Sequence, residues 1–128
     1  MNPSTINIAV VDDDTSICRA LARLLRAAGF DPVTYPSAEA FLDDTARARV
    51  DCLVLDIHLG GMSGFDLQKQ LAAAGSAPPI IFITADEEPE TSEQARRAGC
   101  AAYFHKPVAG DLLLAAIRRA AAEEKTEF

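Results

Sequence analysis

Polar residues that could take part in a reaction lie at the ends of short apolar runs in this sequence of 128 residues. Asp12 and Asp13 directly follow one such run, and Asp56 follows another. Thr84 follows a third run, and Lys106 lies just past a fourth. Carboxylates gathered with a hydroxyl and an ammonium group are the parts that phosphoryl transfer needs, because that reaction depends on positioning and on neutralisation of charge.

The three carboxylates would repel one another strongly at close range unless a cation lay among them. Mg²⁺ suits such a place because it takes oxygen ligands, keeps several waters and binds phosphate oxygens. A carboxylate beside Mg²⁺ can attack a phosphoryl group and form an acyl phosphate. Lys106 would then supply positive charge opposite the metal, and Thr84 would donate a hydrogen bond to one phosphoryl oxygen.

Short, nearly continuous apolar runs predict the buried strands that would position these residues. The runs are Ile6–Val11, Pro32–Tyr35, Cys52–Leu55, Pro79–Ile83 and Ala101–Phe104, of which the second is the weakest. Apolar residues at helical spacing and capping signals predict helices between them. The first predicted helix is capped by Asp14 or Thr15 and ends at Gly29, and the second runs from Ser37 to about Asp44. The third carries Phe65, Leu67 and Leu71, the fourth covers about Pro89–Ala98, and the fifth covers about Gly110–Ala122.

Regular alternation of strands and helices predicts an α/β fold, with a parallel sheet covered by helices on both faces. In such a sheet the carboxyl ends of the strands hold the ligand crevice. With strand order 2-1-3-4-5, the first and third strands are neighbours about 5 Å apart, so that Asp12, Asp13 and Asp56 would meet. A single aspartate at a strand end is usually a turn or a helix cap, but matching chemistry on four strand ends favours one site.

The composition indicates one domain over residues 6–122, between a short lead of residues 1–5 and a polar tail of residues 123–128. The net charge of −7 argues against nucleic acid as the main partner. The three cysteines are widely spaced, which favours reduced core thiols in a cytoplasmic protein over a disulfide or zinc framework. We find no signal peptide and no apolar run that could span a membrane, and so expect no membrane association.

The strand-end residues belong to longer motifs that can be compared with known families. The motifs are VVDDD at Val10–Asp14, LVLDIHLGGMSG at Leu53–Gly64, IIFITA at Ile80–Ala85 and YFHKP at Tyr103–Pro107. In residue type and spacing they resemble the receiver domain of two-component response regulators, over about residues 5–122. The resemblance implies a flavodoxin-like, doubly wound five-stranded sheet of order 2-1-3-4-5. It also implies a phosphoacceptor in signalling, and no enzyme beyond autocatalytic phosphotransfer and dephosphorylation.

The resemblance assigns the acceptor and the metal site. Asp56 is implied to be the phosphoacceptor, which takes its phosphoryl group from a sensor histidine kinase or a phosphotransfer protein. Asp13 is implied to be a direct Mg²⁺ ligand, Asp12 to act mainly through water, and Asp56 to bind the metal as well. The backbone carbonyl of His58 completes the implied set of protein ligands.

The resemblance also assigns a switch and a readout surface. Thr84 and Lys106 are implied to engage the phosphoryl group, and Tyr103 to turn inward when Thr84 moves. The implied readout is a population shift between two arrangements of the domain. A downstream protein or a second copy is expected to dock on the face formed by the fourth helix, the fifth strand and the fifth helix.

Two features depart from, or vary within, the family pattern. Many receivers have proline four residues after the acceptor, where this chain has Gly60, and the pair Gly60-Gly61 should loosen the loop. His58 and Asp86 occupy positions whose side chains vary in the family. We predict that these two residues set the rate of dephosphorylation without being required for phosphorylation.

Two other classes of protein are alternatives to a receiver domain. A phosphatase of the haloacid dehalogenase type needs a second acid two residues after its nucleophile, where this chain has His58. A flavodoxin needs a Ser/Thr-rich phosphate loop after the first strand, where this chain has three aspartates.

No output module follows residue 122, which favours a stand-alone receiver, while the kinase, the target, the oligomeric state and the phosphoryl lifetime stay open.

Overall fold

Short apolar segments form one parallel sheet in the computed structural model, which describes residues 5–126, with side chains as far as Ala122. The strands are β1 (Asn7–Val11), β2 (Asp31–Tyr35), β3 (Cys52–Asp56), β4 (Ile80–Thr84) and β5 (Ala102–His105). Their order is β2-β1-β3-β4-β5, which confirms the predicted doubly wound fold. Every residue of β3 and β4 is buried, because helices cover both faces of the sheet.

A helix follows each strand, as the alternation predicted. The helices are α1 (Thr15–Ala27), α2 (Ala38–Asp43), α3 (Gly64–Ala73), α4 (Pro89–Arg97) and α5 (Gly110–Thr126). Asp14 caps α1, since its side chain accepts hydrogen bonds from the backbone N–H groups of Ser16 and Ile17. Within residues 5–126, no helix is long and apolar enough to cross a lipid bilayer.

The sheet separates two hydrophobic cores. One core packs α1 and α5 against one face through residues such as Leu25, Ile81 and Ile117. The other packs α2, α3 and α4 against the opposite face through residues such as Phe41 and Phe82. With both faces packed, the edge of the sheet where ligands bind in such folds is the one where the strands end.

The ends of the elements differ from the predicted ends by small shifts. Asp56 and Thr84 are the last residues of their strands and do not follow them. The fifth helix continues to Thr126, four residues beyond its predicted end, because alanine, glutamate and lysine favour helix. Of the predicted lead and tail, residues 1–4 and 127–128 lie outside the described residues.

Candidate functional site

Pairing of β1 with β3 brings the three aspartates together. Val11 is in register with Leu55, so Asp12 and Asp56 are the next residues on two adjacent strands. Carboxylate oxygens of Asp12, Asp13 and Asp56 all lie within 4.8 Å of one another. Asp12 and Asp56 are buried, and Asp13 is exposed. The sequence-based expectation that these residues meet is therefore confirmed.

Lys106 reaches into this cluster from the end of β5. Its Nζ lies 2.8 Å from Asp12 Oδ2 and donates a hydrogen bond of 3.1 Å to Asp56 Oδ2. Its backbone N–H donates to the carbonyl oxygen of Thr84 at 2.8 Å, which extends the β4–β5 pairing by one step. The ammonium is thus held beside both buried carboxylates by the geometry of the sheet itself.

Burial and charge act against each other at Asp56. Burial raises the pKa of the Asp56 carboxyl above its usual range and the charge of Asp12 adds to this effect, while the hydrogen bond from Lys106 lowers it. Burial disfavours the charged form of Lys106 as well. The close contacts of its ammonium with the Asp12 and Asp56 carboxylates outweigh that cost, so the pKa of Lys106 lies above its usual range.

The environment of Asp12 leaves room for a cation. Asp12 Oδ1 accepts a hydrogen bond from the backbone N–H of Asp14 at 2.9 Å. Asp12 Oδ2 is fully buried beside the Lys106 ammonium, yet it accepts no well-aligned hydrogen bond from the described part of the chain. An acidic oxygen with unused acceptor capacity, next to two further carboxylates, is the donor set that Mg²⁺ prefers. The residues present therefore fit a divalent cation.

The backbone closes tightly around Asp56. Its Oδ1 accepts a hydrogen bond from the backbone N–H of His58 at 3.2 Å. Gly64, the first residue of α3, donates its N–H to the carbonyl oxygen of Ile57 at 2.8 Å. A Cβ atom on Gly64 would lie 2.4 Å from the carbonyl oxygen of Asp56. Sequence reasoning gave Gly64 no role beyond the end of a glycine-bearing loop, and this contact depends on a backbone approach that the sequence does not display.

Thr84 and Asp86 connect the end of β4 to the loop after β3. Thr84 is buried, and its Oγ1 accepts a hydrogen bond from the backbone N–H of Asp86 at 3.0 Å. The Asp86 carboxylate lies 2.7 Å from Nε2 of His58 and also accepts hydrogen bonds from the backbone of Glu88 and the hydroxyl of Thr91. Chiefly the Glu88 N–H, then Thr91 and His58, lower the pKa of Asp86 to about 2. His58 and Asp86 thus form one side-chain link between the two loops.

Tyr103 lies on β5 beside this link. Its residue partner on β4 is Phe82, and it packs partly buried against the core that contains Phe82. Its hydroxyl is enclosed and finds no hydrogen-bond partner among the described residues. Burial and the nearby charge of Asp86 raise the pKa of the phenol. His105 is exposed, as predicted, with its ring 5.3 Å from that of Tyr103.

One contact beside the site was missed by sequence reasoning. Glu39 Oε2, on α2, accepts a hydrogen bond of 2.9 Å from the backbone N–H of Met62, in the loop between β3 and α3. No spacing or motif links these two residues, which are 23 positions apart. Only the packing of α2 beside that loop reveals the contact.

The family model for the response regulator receiver domain matches residues 8–118 of the chain. The chain belongs to this family. The receiver domain is 39% identical over 120 residues to response regulator protein TmoT of Ectopseudomonas mendocina, an alignment that covers 94% of this chain and 54% of TmoT. It is 32% identical over 116 residues to transcriptional regulatory protein FixJ of Azorhizobium caulinodans, covering 91% of this chain and 55% of FixJ. The chain thus spans about half the length of the curated relatives it matches.

Solved structures of receiver domains share this fold. A CheY-like receiver domain protein from Methanospirillum hungatei superposes with a TM-score of 0.88 at 27% identity, covering 98% of this chain and 100% of that one. A response regulator receiver protein from Burkholderia phymatum gives a TM-score of 0.81 at 39% identity, covering 92% and 96%. The flavodoxin-like fold and the two-component receiver family that the motifs indicated are therefore confirmed.

Proposed function

We propose that this receiver domain accepts a phosphoryl group on Asp56 from a histidine of a sensor kinase or phosphotransfer protein, with Mg²⁺ as cofactor. The observation that carries the proposal is the cluster of Asp12, Asp13 and Asp56 with Lys106 between the two buried carboxylates. A histidine kinase or an aspartyl phosphatase would need further catalytic groups. A phosphoacceptor needs only a nucleophile, a metal site and a neutralising cation.

In the proposed step, a carboxylate oxygen of Asp56 attacks the phosphorus atom of the phosphohistidine. The new O–P bond gives an acyl phosphate, the P–N bond breaks, and the released imidazole nitrogen takes up a proton from solvent. The nucleophile must be ionised, and the Lys106 hydrogen bond favours its ionised form against the effect of burial. The backbone N–H of His58 fixes Asp56 Oδ1.

The metal would be held by Asp13 directly, by Asp12 mainly through water, by Asp56 and by the backbone carbonyl of His58. Bound there, Mg²⁺ would neutralise charge on the phosphoryl oxygens as the acyl phosphate forms. Burial fixes Asp12 in place, and the Asp14 N–H orients its Oδ1. Exposed Asp13 leaves the site open on the side from which a donor protein would approach.

A switch built on Thr84 and Lys106 is part of the proposal, and the backbone hydrogen bond between them supports it. We expect Thr84 to donate its hydroxyl proton to one phosphoryl oxygen and Lys106 to pair with another. Because the Lys106 N–H is bound to the Thr84 carbonyl, the two residues would shift together. Tyr103, whose hydroxyl is enclosed and has no hydrogen-bond partner among the described residues, would respond to that shift at β5.

The readout is proposed to be the face formed by α4, β5 and α5, where a downstream protein or a second copy would dock. The helix α5 carries Leu112, one of the large apolar side chains exposed on the described surface. His58 and Asp86 are proposed to set the lifetime of the phosphorylated state. Their link joins the residues two positions beyond Asp56 and Thr84.

Acetyl phosphate supplies a direct test. Incubation with acetyl phosphate and Mg²⁺, followed by intact mass measurement, should add about 80 Da to the wild type, the mass of one phosphoryl group, and nothing to Asp56→Ala. An adduct that survives the Asp56→Ala change would place the acceptor elsewhere. Turnover of small phosphate esters without an accumulating adduct would instead favour a phosphatase.

A further inference from the structure

The loop between β3 and α3, residues 57–63, is fixed at both ends. At its start the His58 N–H donates to Asp56 Oδ1 at 3.2 Å, and at its close the Gly64 N–H donates to the Ile57 carbonyl at 2.8 Å. Between these points lie Gly60 and Gly61, both exposed and without side chains that could pack. Two consecutive glycines lose more conformational freedom on ordering than any other pair.

Glu39 holds the middle of this loop from outside it. Its Oε2, carried by α2, accepts a hydrogen bond from the Met62 N–H at 2.9 Å. The charge of the carboxylate strengthens such a bond to a backbone donor. Chiefly this bond lowers the pKa of Glu39. The side chain is exposed, so the contact is a surface tether and not part of the buried core.

Gly61 lies against the Glu39 carboxylate that forms this tether. Its φ of +88° is a conformation that favours glycine, and a Cβ there would lie 2.8 Å from Glu39 Oε2. The glycine therefore provides both the turn and the space in which the carboxylate sits. The tether thus adds one hydrogen bond from a different helix to the glycine turn of the loop.

We infer that Glu39 is a positioning residue for the phosphorylation site. By holding Met62 it orders the Gly60-Gly61 turn, and through the turn it fixes the orientation of His58. His58, whose ring contacts Asp86, would then offer its backbone carbonyl to a bound metal. The inference rests on the proposed function, since it assigns Glu39 a part in metal affinity and phosphoryl lifetime at the same site.

The test compares Glu39→Ala with Asp43→Ala, which removes an exposed carboxylate from the same helix. Mg²⁺ affinity is measured by calorimetry, and decay of the phosphorylated protein by intact mass. Glu39→Ala should weaken Mg²⁺ binding and speed decay by roughly two- to fivefold, the size expected from one lost hydrogen bond. Asp43→Ala should change neither quantity. Thermal melting of both variants checks that each is folded.

Glu39→Gln separates the hydrogen bond from the charge. Glutamine keeps an acceptor oxygen at the same reach, so it should restore most of the affinity and lifetime lost in Glu39→Ala. In parallel, the amide resonance of Met62 should move in Glu39→Ala and return towards its wild-type position in Glu39→Gln. A Met62 resonance that moves while Mg²⁺ affinity and decay stay at wild-type values would overturn the inference and leave Glu39 a structural contact only.

Failure of this inference can be told from failure of the proposed function. If the wild type itself neither binds Mg²⁺ nor forms the adduct, the proposed function is wrong, and the Met62 resonance still reports the tether. If the wild type does both and Glu39→Ala matches it, the role of Glu39 is wrong and the function stands. Gly61→Ala provides a second route. If its effect on Mg²⁺ affinity is no smaller in the Glu39→Ala background, the two residues are not coupled and the inference fails.

Discussion

Lys106 Nζ lies 3.1 Å from Asp56 Oδ2, and the same nitrogen lies 2.8 Å from Asp12 Oδ2. One ammonium group therefore lies against two buried carboxylates and offsets part of their mutual repulsion, which leaves a net negative charge in the cluster. A bound cation would do the same from the side of Asp13. The lysine and the metal thus act on one cluster of negative charge, which makes their effects on stability interdependent.

The first prediction concerns this interdependence. Lys106→Met should lower the free energy of unfolding in EDTA by about 2 kcal/mol, because it leaves two buried carboxylates without their cation. Saturating Mg²⁺ should recover part of that loss, since the metal neutralises the same charges. Urea unfolding with EDTA or Mg²⁺ measures both effects. Lys69→Met, at an exposed position of α3, is the control, and an equal Mg²⁺ response in both variants would contradict the prediction.

The second prediction follows from the raised pKa of Asp56. An unfolded aspartate has a pKa of about 3.9, so the folded protein binds this proton more tightly than the unfolded chain does. Stability must then fall as pH rises from about 4 through the raised pKa. Asp56→Asn removes this group and should gain stability relative to the wild type over that range.

Urea midpoints between about pH 4 and pH 7 in EDTA check this expectation. The difference between Asp56→Asn and wild type should be small at the acid end and grow in favour of the variant towards neutrality. A difference that does not vary with pH would contradict the assigned effect of burial.

Much of this site could be predicted because it depends on strand ends. The apolar runs located β1, β3 and β4, and the parallel arrangement then required Asp12, Asp56 and Thr84 to share one edge of the sheet. Which oxygens Lys106 approaches was not predictable, because four rotatable side-chain torsions determine where its ammonium lies relative to the backbone.

Other features carried no sequence signal at all. The Glu39–Met62 contact depends on how α2 packs beside a loop from another part of the chain. The closeness of Gly64 to the Asp56 carbonyl depends on backbone path, which a glycine in a loop motif leaves open. Contacts of this kind depend on tertiary packing. The spacing of apolar residues and the turn and capping residues of a segment do not predict them.

The third prediction concerns the metal. Asp13→Asn should weaken Mg²⁺ binding by about tenfold or more, because it removes one negative charge in direct reach of the cation. The wild type should gain thermal stability with added Mg²⁺ according to its affinity, and the variant should gain less at the same concentration. Asp111→Asn, in the first turn of α5, is the matched control. Equal Mg²⁺ affinity in Asp13→Asn and Asp111→Asn would exclude Asp13 as a ligand.

The fourth prediction concerns the link of 2.7 Å between His58 Nε2 and Asp86 Oδ2. His58→Ala and Asp86→Ala should each accept a phosphoryl group from acetyl phosphate, because neither side chain touches Asp56. Both should lose the phosphoryl group several times faster than the wild type, since the loops beside the acceptor are no longer joined. The double variant should decay at about the rate of either single variant, because the residues act as one pair. Multiplied effects in the double variant would show that they act separately.

The fifth prediction compares Gly60, in the loop after β3, with Gly64, the first residue of α3. A Cβ on Gly64 would lie 2.4 Å from the Asp56 carbonyl oxygen and 2.9 Å from Ile57 Cα, both backbone atoms that have little room to move. Gly64→Ala should therefore lower the free energy of unfolding by about 2–3 kcal/mol, as overpacking of a tight contact does. Gly60 has nothing within 4 Å of the same position and no positive φ, so Gly60→Ala should be neutral or stabilise by about 0.5 kcal/mol through the unfolded chain. Urea unfolding of the two variants measures the difference, and equal stabilities would mean that α3 can move away from Asp56 at little cost.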